Sequence, residues 1–384
     1  MTYIYLDNSA TTAPYPEVIR LTSAVMKEIY GNPSSMHSLG VAAEKTIAKA
    51  RRRIASVIGV RDKEIIFTSG GTEANNLAII GSARRNRNRG NHLITSQTEH
   101  PSVLNCCRQL EKEGFRVSYI PVDKKGVVNP ETLGKLIGEE TILVSIMHVN
   151  NEIGTIEPLT EIGNIVKERN RSTILHIDAV QSFTKVPVKF RQWQADLISF
   201  SSHKIHGPRG AGCLWIREGL LLEPVIYGGG QEKNLRSGTE NTAAIAGFGL
   251  AAELSARANV ENDGFLISLK LSFLEELKKS GLDFHINGPD PEVGAPHILN
   301  LAFPGLNAEV LLHSLEAKGL YVSAGSACHS KHPEPSHVLS AIGLDHKLLT
   351  GSLRFSFSGM NRTVEIKKAA IITADTASEL YKMF

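Results

Sequence analysis

The residues EIIFTSGGTEANNLAIIGSA (64–83) read as a strand, a glycine break and a helix. Ile65, Ile66 and Phe67 form an apolar run, Gly70 and Gly71 interrupt it, and helical spacing of apolar residues begins at Thr72 or Glu73. A strand that passes through glycines into a helix brings backbone N–H groups and the positive end of the helix dipole to one point, where an anion can sit. Gly71 supplies an N–H there and Thr72 a hydroxyl. The same residues also read as a plain glycine turn with a threonine N-cap.

The unit recurs along the chain. HLITSQTEH precedes the helical SVLNCCRQLEKEG, VSYIPVD precedes PETLGKLIG, TILVSIMHVN precedes LTEIGNIVKERN, and TILHIDAV leads on to DLISFSSHK. Strands that are apolar throughout and separated by helices predict an α/β fold, a mostly parallel sheet covered on both faces. After about residue 255 long helical stretches surround fewer strands (HILNLAF, SLRFSFS), which predicts a smaller α+β unit. The expected division is 13–255 for a large domain, with 1–12 and 256–384 forming a small one.

Composition narrows the class. Among 384 residues, 42% are hydrophobic and 21% charged, as in ordinary globular proteins. A net charge of +3 gives no reason to expect direct nucleic-acid binding. No apolar run approaches the roughly 20 residues of a membrane span, and MTYIYLDNSATT has no secretory pattern. Cys106, Cys107, Cys213 and Cys328 show no paired spacing, so a cytoplasmic location is expected.

Ligands of parallel sheets bind beyond the carboxyl ends of the strands. Those ends carry Gly71 and Thr72, His100, Asn151, Asp178 and Gln181, and Ser201, His203 and Lys204. An unpaired carboxylate or ammonium at a buried strand end is costly. A desolvated lysine can serve as a Schiff-base amine, and a buried carboxylate can face a cationic ring nitrogen. Together Lys204 and Asp178 point to pyridoxal 5′-phosphate (PLP), with Thr72, Ser201 and His203 near its phosphate and His100 against its ring. Cys328 follows small residues in a loop rich in Ser, His and Pro, which favours an exposed thiol whose basic neighbours promote the thiolate. One cysteine among irregularly spaced histidines predicts no metal site. Arg354, in the middle of LRFSFSG, can hold a carboxylate through two N–H groups or form an internal salt bridge.

The blocks YLDNSATT, GNPSSMHSLG, FTSGGTEANNLAI, SIMHVNNEIGTI, HIDAVQS, SFSSHKIHGPRG, GGGQEKNLRSGTEN, SAGSAC, EPSHVL and LRFSFSG occur in order and span nearly the whole chain. In them the sequence resembles the NifS/IscS-type cysteine desulfurases, PLP enzymes of the class V aminotransferase group. The resemblance implies fold type I, a seven-stranded sheet and a homodimer. It makes Lys204 the lysine joined to the cofactor, His100 the stacking and proton-moving residue, Asp178 the partner of the pyridine nitrogen and Gln181 that of the phenolic oxygen. Thr72, Ser201 and His203 would hold the phosphate, with Thr239 reaching in from the other subunit. Asn151 and Arg354 would bind the carboxylate of L-cysteine, and Cys328 would take its sulfur as a persulfide.

The implied reaction converts L-cysteine to L-alanine and passes sulfur to an acceptor protein: an iron–sulfur scaffold, a tRNA-thiolation enzyme or a DNA-modification enzyme. His329 replaces the usual small hydroxyl residue after the cysteine, and the chain stops at Phe384 without the tail some members use to dock a scaffold. Two other readings remain at this stage. One is a selenocysteine lyase or cysteine/cystine C–S lyase on the same fold; the other is a non-catalytic sulfur-relay subunit.

Overall fold

A computed structural model describes residues 3–261, 264–324 and 335–383. Its main sheet has seven strands in the spatial order Ile65–Thr68, Gly212–Ile216, Leu197–Ser201, Ile174–Asp178, Thr141–Met147, His92–Ser96 and Arg116–Ile120. All run the same way except Gly212–Ile216, which is antiparallel to both neighbours. Gly212 has to be glycine, because a Cβ there would lie 2.6 Å from the backbone of Gly70 and 2.7 Å from the Phe200 carbonyl.

The apolar character of the strands follows from their two covered faces. Phe67, Ile94, Val144, Leu175, Ile198 and Trp215 enter one core, while the residues just before them enter the other: Ile66, Leu93, Leu143, Ile174, Leu197 and Leu214. Adjacent residues on a strand point to opposite faces, so both must be apolar. Only the edge strand Arg116–Ile120 is mostly unburied. The helix Thr242–Glu261 packs with Ser38–Ile58 and contributes Ile245 and Phe248 to the first core.

A separate core is built on a four-stranded antiparallel sheet, in the order Ser323–Ala324, Ser352–Ser356, Ile298–Ala302 and His285–Asn287. The helices Phe265–Lys279, Ala308–Ala317 and Thr363–Met383 bury Phe273, Leu311 and Ile366 against it. The N-terminus joins this unit: Ile4 and Tyr5 pair with Leu320 and Tyr321, and Asp7 bridges Ser356. No helix among the described residues is long and apolar enough to cross a membrane.

Polar groups inside the main sheet are satisfied in a way that fixes their charge. The His92 ring lies between Thr141 and Ser118, and the His176 ring between Ser145 and Ser199. Hydroxyl partners suit a neutral imidazole. Burial lowers the pKa of His92, His148, His203 and His206 to about 4 and of His176 to about 3, and it holds His297 well below its ordinary value. Burial acts oppositely on carboxyls, raising Glu99 and Glu152 and bringing Glu157 to about 8.

Between the ordinary values of 4.5 and 6.5, these six imidazoles are protonated only in the unfolded chain. Of the three carboxyls, Glu157 is protonated there only in the folded chain, and burial shifts Glu99 and Glu152 in the same direction. The unfolded state therefore binds more protons, and stability falls as pH is lowered through this window. The expected result is a calorimetric midpoint that drops steadily from pH 6.5 to 4.5; a flat or rising midpoint would contradict it.

Candidate active site

A cavity of about 520 Å³ opens at the carboxyl ends of the parallel strands. Gly71, Thr72, His100, Asn151, Asp178, Gln181, Ser201, His203 and Lys204 all line it. Segments as far apart in sequence as 71 and 204 meet there because each follows the end of a strand in one parallel sheet. Arg354 does not line the cavity; its guanidinium lies behind Asn151, donating to the Asn151 carbonyl at 3.0 Å. Thr239 is exposed and outside the cavity lining. Cys328 lies outside the described residues.

One wall is the start of the helix Gly71–Arg85, whose N-terminus has no side-chain cap. Gly71 packs closely on the turn that follows Asp178, since a Cβ would come within 2.6 Å of the Val180 side chain. The first N–H groups of the helix and the Thr72 hydroxyl thus border the cavity with an electropositive edge. Ser201 adjoins this helix start, its Cβ 3.5 Å from where a Gly71 Cβ would lie, and its buried hydroxyl has no hydrogen-bond partner among the described residues.

Asp178 ends its strand held on both oxygens. Asn75 Nδ2 donates to one at 2.7 Å and the Val180 N–H to the other at 2.9 Å. Asn75 also donates to Ser102 Oγ at 2.8 Å, and Ser102 lies 2.8 Å from His100 Nδ1. A continuous network therefore connects the carboxylate with the imidazole. His100 caps its helix by accepting the Ser102 N–H at Nδ1, which assigns the ring proton to Nε2. Burial, reinforced by Lys204 and opposed by Asp178, lowers the His100 pKa and keeps the ring neutral.

Lys204 ends a single 3₁₀ turn, Ser202–Lys204, that follows its strand. Its Nζ donates to the carbonyls of Ser9 and Ala10, the latter at 2.9 Å. The same N-terminal loop accepts from Gln181 Nε2 at Ser9 (3.0 Å) and places Thr11 Oγ1 3.2 Å from His203 Nδ1. Gln181 Oε1 is buried without a partner among the described residues. Arg354 is not a free fork: Asp7 takes one arm at 2.7 Å and the Asn151 carbonyl the other. Of the two alternatives set out above, the internal salt bridge is present, with a single N–H on Asp7; no carboxylate among the described residues is held by both arms.

Reading the sequence missed Asn75, Ser102 and the loop Ser9–Thr12. Asn75 had a signal, since it follows Thr72 by one helical turn and so shares its face. Cys106, Cys107 and Cys213 are buried, and burial pushes the Cys106 thiol up to about 12 and the other two higher.

These features fit PLP. An uncapped helix start beside an unpartnered serine suits a phosphate, a lysine at the cavity wall suits an aldehyde, and a carboxylate held by Asn75 suits a ring N–H. Comparison with known proteins gives the same picture. The model of the family described as aminotransferase class-V matches residues 4–368. The cysteine desulfurase IscS of Methanosarcina thermophila is 43% identical over 380 residues, 99% of this chain and 93% of its own. A NifS-like protein of known structure superimposes with a TM-score of 0.92 at 37% identity, covering 98% of this chain and all of its own. SspA, solved in complex with cysteine, has a TM-score of 0.79 at 33% identity over 93% of this chain and 99% of its own. The chain therefore belongs to the class-V aminotransferase family and, within it, to the cysteine desulfurases of the NifS and IscS type.

Proposed function

We propose that this chain uses PLP to convert L-cysteine to L-alanine, with Cys328 as the first sulfur acceptor and a protein as the next. The observation that carries the reading is the meeting of Lys204, Asp178 and an uncapped helix start around one cavity. SspA, similar over most of its length, was solved with cysteine, which supports the substrate. A homodimer in the cytoplasm, with Thr239 completing the partner's site, is part of the proposal; the exposure of Thr239 supports it.

Lys204 would be the covalent attachment point, Asp178 would face the ring nitrogen and Gln181 Oε1 the phenolic oxygen. Thr72, Ser201, His203 and the helix start would hold the phosphate. When bound, the cofactor supplies an electron sink for negative charge at the substrate Cα. The Lys204 amine takes the Cα proton. The His100 ring, neutral and held through Ser102, keeps its orientation and has a proton on Nε2 to give.

Sulfur transfer balances without an outside oxidant. A bond forms between Cys328 Sγ and the substrate sulfur as the substrate C–S bond breaks, and the bonding pair stays with carbon. That carbon gains a proton and becomes the methyl group of alanine; the enzyme keeps a persulfide. Cys106, Cys107 and Cys213 are buried thiols held in the protonated form, which favours Cys328 as the nucleophile.

Reconstitution with PLP tests the reading: borohydride should fix the cofactor on a Lys204 peptide, and cysteine should yield alanine with one extra sulfur on Cys328. Failure to label Lys204, or sulfur found only elsewhere, would reject it.

The Arg354 assignment has its own test. Asp7 and the Asn151 carbonyl already use two faces of the guanidinium, so a substrate carboxylate needs the planar group to serve several acceptors at once. Arg354→Lys cannot do this, and the KM for cysteine is expected to rise about tenfold, with kcat reduced less. An unchanged KM would remove Arg354 from the carboxylate site.

A further inference from the structure

Among the described residues two carboxylates line the cavity, Asp178 and Glu73. Asp178 has a place in the proposed reaction. Glu73 has none, and it stands in the first turn of the helix that would hold a phosphate. A negative side chain there competes with a negative ligand for the same helix field. The surroundings of Glu73 resolve that conflict.

Glu73 Oε2 accepts the Ser69 N–H at 2.9 Å, reaching back across Gly70 and Gly71 much as the glutamate of a capping box does. The bond braces the glycine turn from outside and leaves the helix start uncapped by any side chain. Glu73 Oε1 accepts from Arg236 Nε at 2.9 Å. The Glu73 side chain is only 11% exposed. Burial works against its charge, but the bonds from Arg236 and Ser69 outweigh it and hold the carboxyl below its ordinary value. Arg236 comes from a distant loop, where it bridges Ile226 and precedes Thr239 by three residues. That loop has another attachment, Glu232 on Arg51 at 2.6 and 2.9 Å, so it does not hang on Arg236 alone.

We propose that Arg236 sets the affinity of the phosphate site by neutralising Glu73. It is a positioning residue that acts through the carboxylate and touches no ligand. The division of labour is physical. Glu73 shapes the turn through its bond to Ser69, and Arg236 cancels the charge that this brace brings to the cavity wall. A half-buried pair that loses one member keeps an uncompensated charge. Within one helical turn of a bound anion, and partly out of water, that charge repels more strongly than it would in solvent. Without Arg236 the brace therefore works against the ligand it supports.

The inference rests on the reading that the cofactor's phosphate lies at this helix start, and the test separates the two. Full-length protein freed of cofactor is titrated with PLP, with inorganic phosphate as a competitor, and with pyridoxal, which lacks the phosphate. In R236M the dissociation constants for PLP and for inorganic phosphate should each rise about tenfold, while that for pyridoxal stays within about twofold. E73Q keeps an oxygen for the Ser69 N–H without the charge, and R236M/E73Q should bring both constants back to within about twofold of the unaltered protein. R236K, which keeps a cation beside Glu73, should lose less than about threefold. The rescue is the discriminating result, because a loop held only by the ion pair could not be restored by removing the second partner. Unchanged phosphate affinity in R236M, no recovery in R236M/E73Q, or pyridoxal binding lost in parallel would overturn the proposal. If the unaltered protein binds pyridoxal as tightly as PLP and ignores inorganic phosphate, the placing of the phosphate fails instead.

Discussion

Replacing Lys204 with alanine is expected to lower alanine formation from cysteine by on the order of 10⁴-fold or more, while the protein stays folded. The size follows from two losses at one atom: Nζ is both the proposed attachment point and the base at Cα. The fold should survive because the side chain contributes two hydrogen bonds to the Ser9 and Ala10 carbonyls, and the loop keeps other ties. Thr12 Oγ1 and N–H both bond the His203 carbonyl at 2.9 Å, and Gln181 bonds the Ser9 carbonyl. Lys204→Arg should be nearly as inactive despite keeping the charge, since a guanidinium is neither an amine nucleophile nor a base at neutral pH. Alanine production measured with unchanged circular dichroism checks this. Retention of more than about one per cent of activity in K204A would mean the chemistry is carried elsewhere.

Much of this site could be read from the sequence because parallel sheets gather their strand ends in one place. Thr72, His100, Asp178 and Lys204 each follow an apolar run, and that pattern is local. What escaped reading depends on contacts between distant segments. Asn75 faces Asp178 from 103 positions away. The Ser9–Ala10 carbonyls meet Lys204 across almost 200 residues. The Asp7–Arg354 pair spans 347. Nothing near Asp7 signals an arginine, and nothing near Arg354 signals whether its carboxylate is internal or a substrate's. The reversed direction of Gly212–Ile216 was equally hidden, because an apolar strand buried on both faces looks the same in either orientation.

Glu232→Ala is expected to be the most damaging change outside the cavity, at about 3–5 kcal/mol. The Glu232 side chain is 2% exposed and accepts two hydrogen bonds from Arg51, at 2.6 and 2.9 Å, and a third from the Phe67 N–H at 2.8 Å. Arg51 also bonds the Ile65 carbonyl at 2.6 Å and lies over the Phe67 ring. Removing the carboxylate leaves a guanidinium enclosed without its counter-charge and a backbone N–H without an acceptor. The same carboxylate fastens an unfavourable turn: Glu232, Lys233 and Asn234 have φ values of 44°, 59° and 64°, three left-handed residues in succession. Each costs about 1–2 kcal/mol, so the turn persists only because its anchor over-determines it. Release of that strain offsets part of the loss. R51M/E232M, which removes both charges together, should cost clearly less than the two single changes combined. Urea unfolding of the unaltered protein, E232A, R51M, E232M and R51M/E232M checks this; a loss below about 1 kcal/mol for E232A, or strict additivity in the methionine series, would show that the pair is not an anchor.

The seam between the N-terminal loop and the strand Ser352–Ser356 bears on how the molecule is made. Ser9 N–H bonds Ser356 Oγ, Asn8 Nδ2 bonds the Ser356 carbonyl, and Ser356 N–H bonds the Leu6 carbonyl. The carbonyls that receive Lys204 are therefore seated by a residue translated some 350 positions later. On the ribosome, a nascent chain can complete most of its seven-stranded sheet while this part of the pocket stays unformed. A prematurely terminated product lacking residue 356 would lose these three bonds to the loop, leaving the loop its ties to His203 and Gln181. Such an arrangement leaves this part of the pocket incomplete until translation is nearly finished.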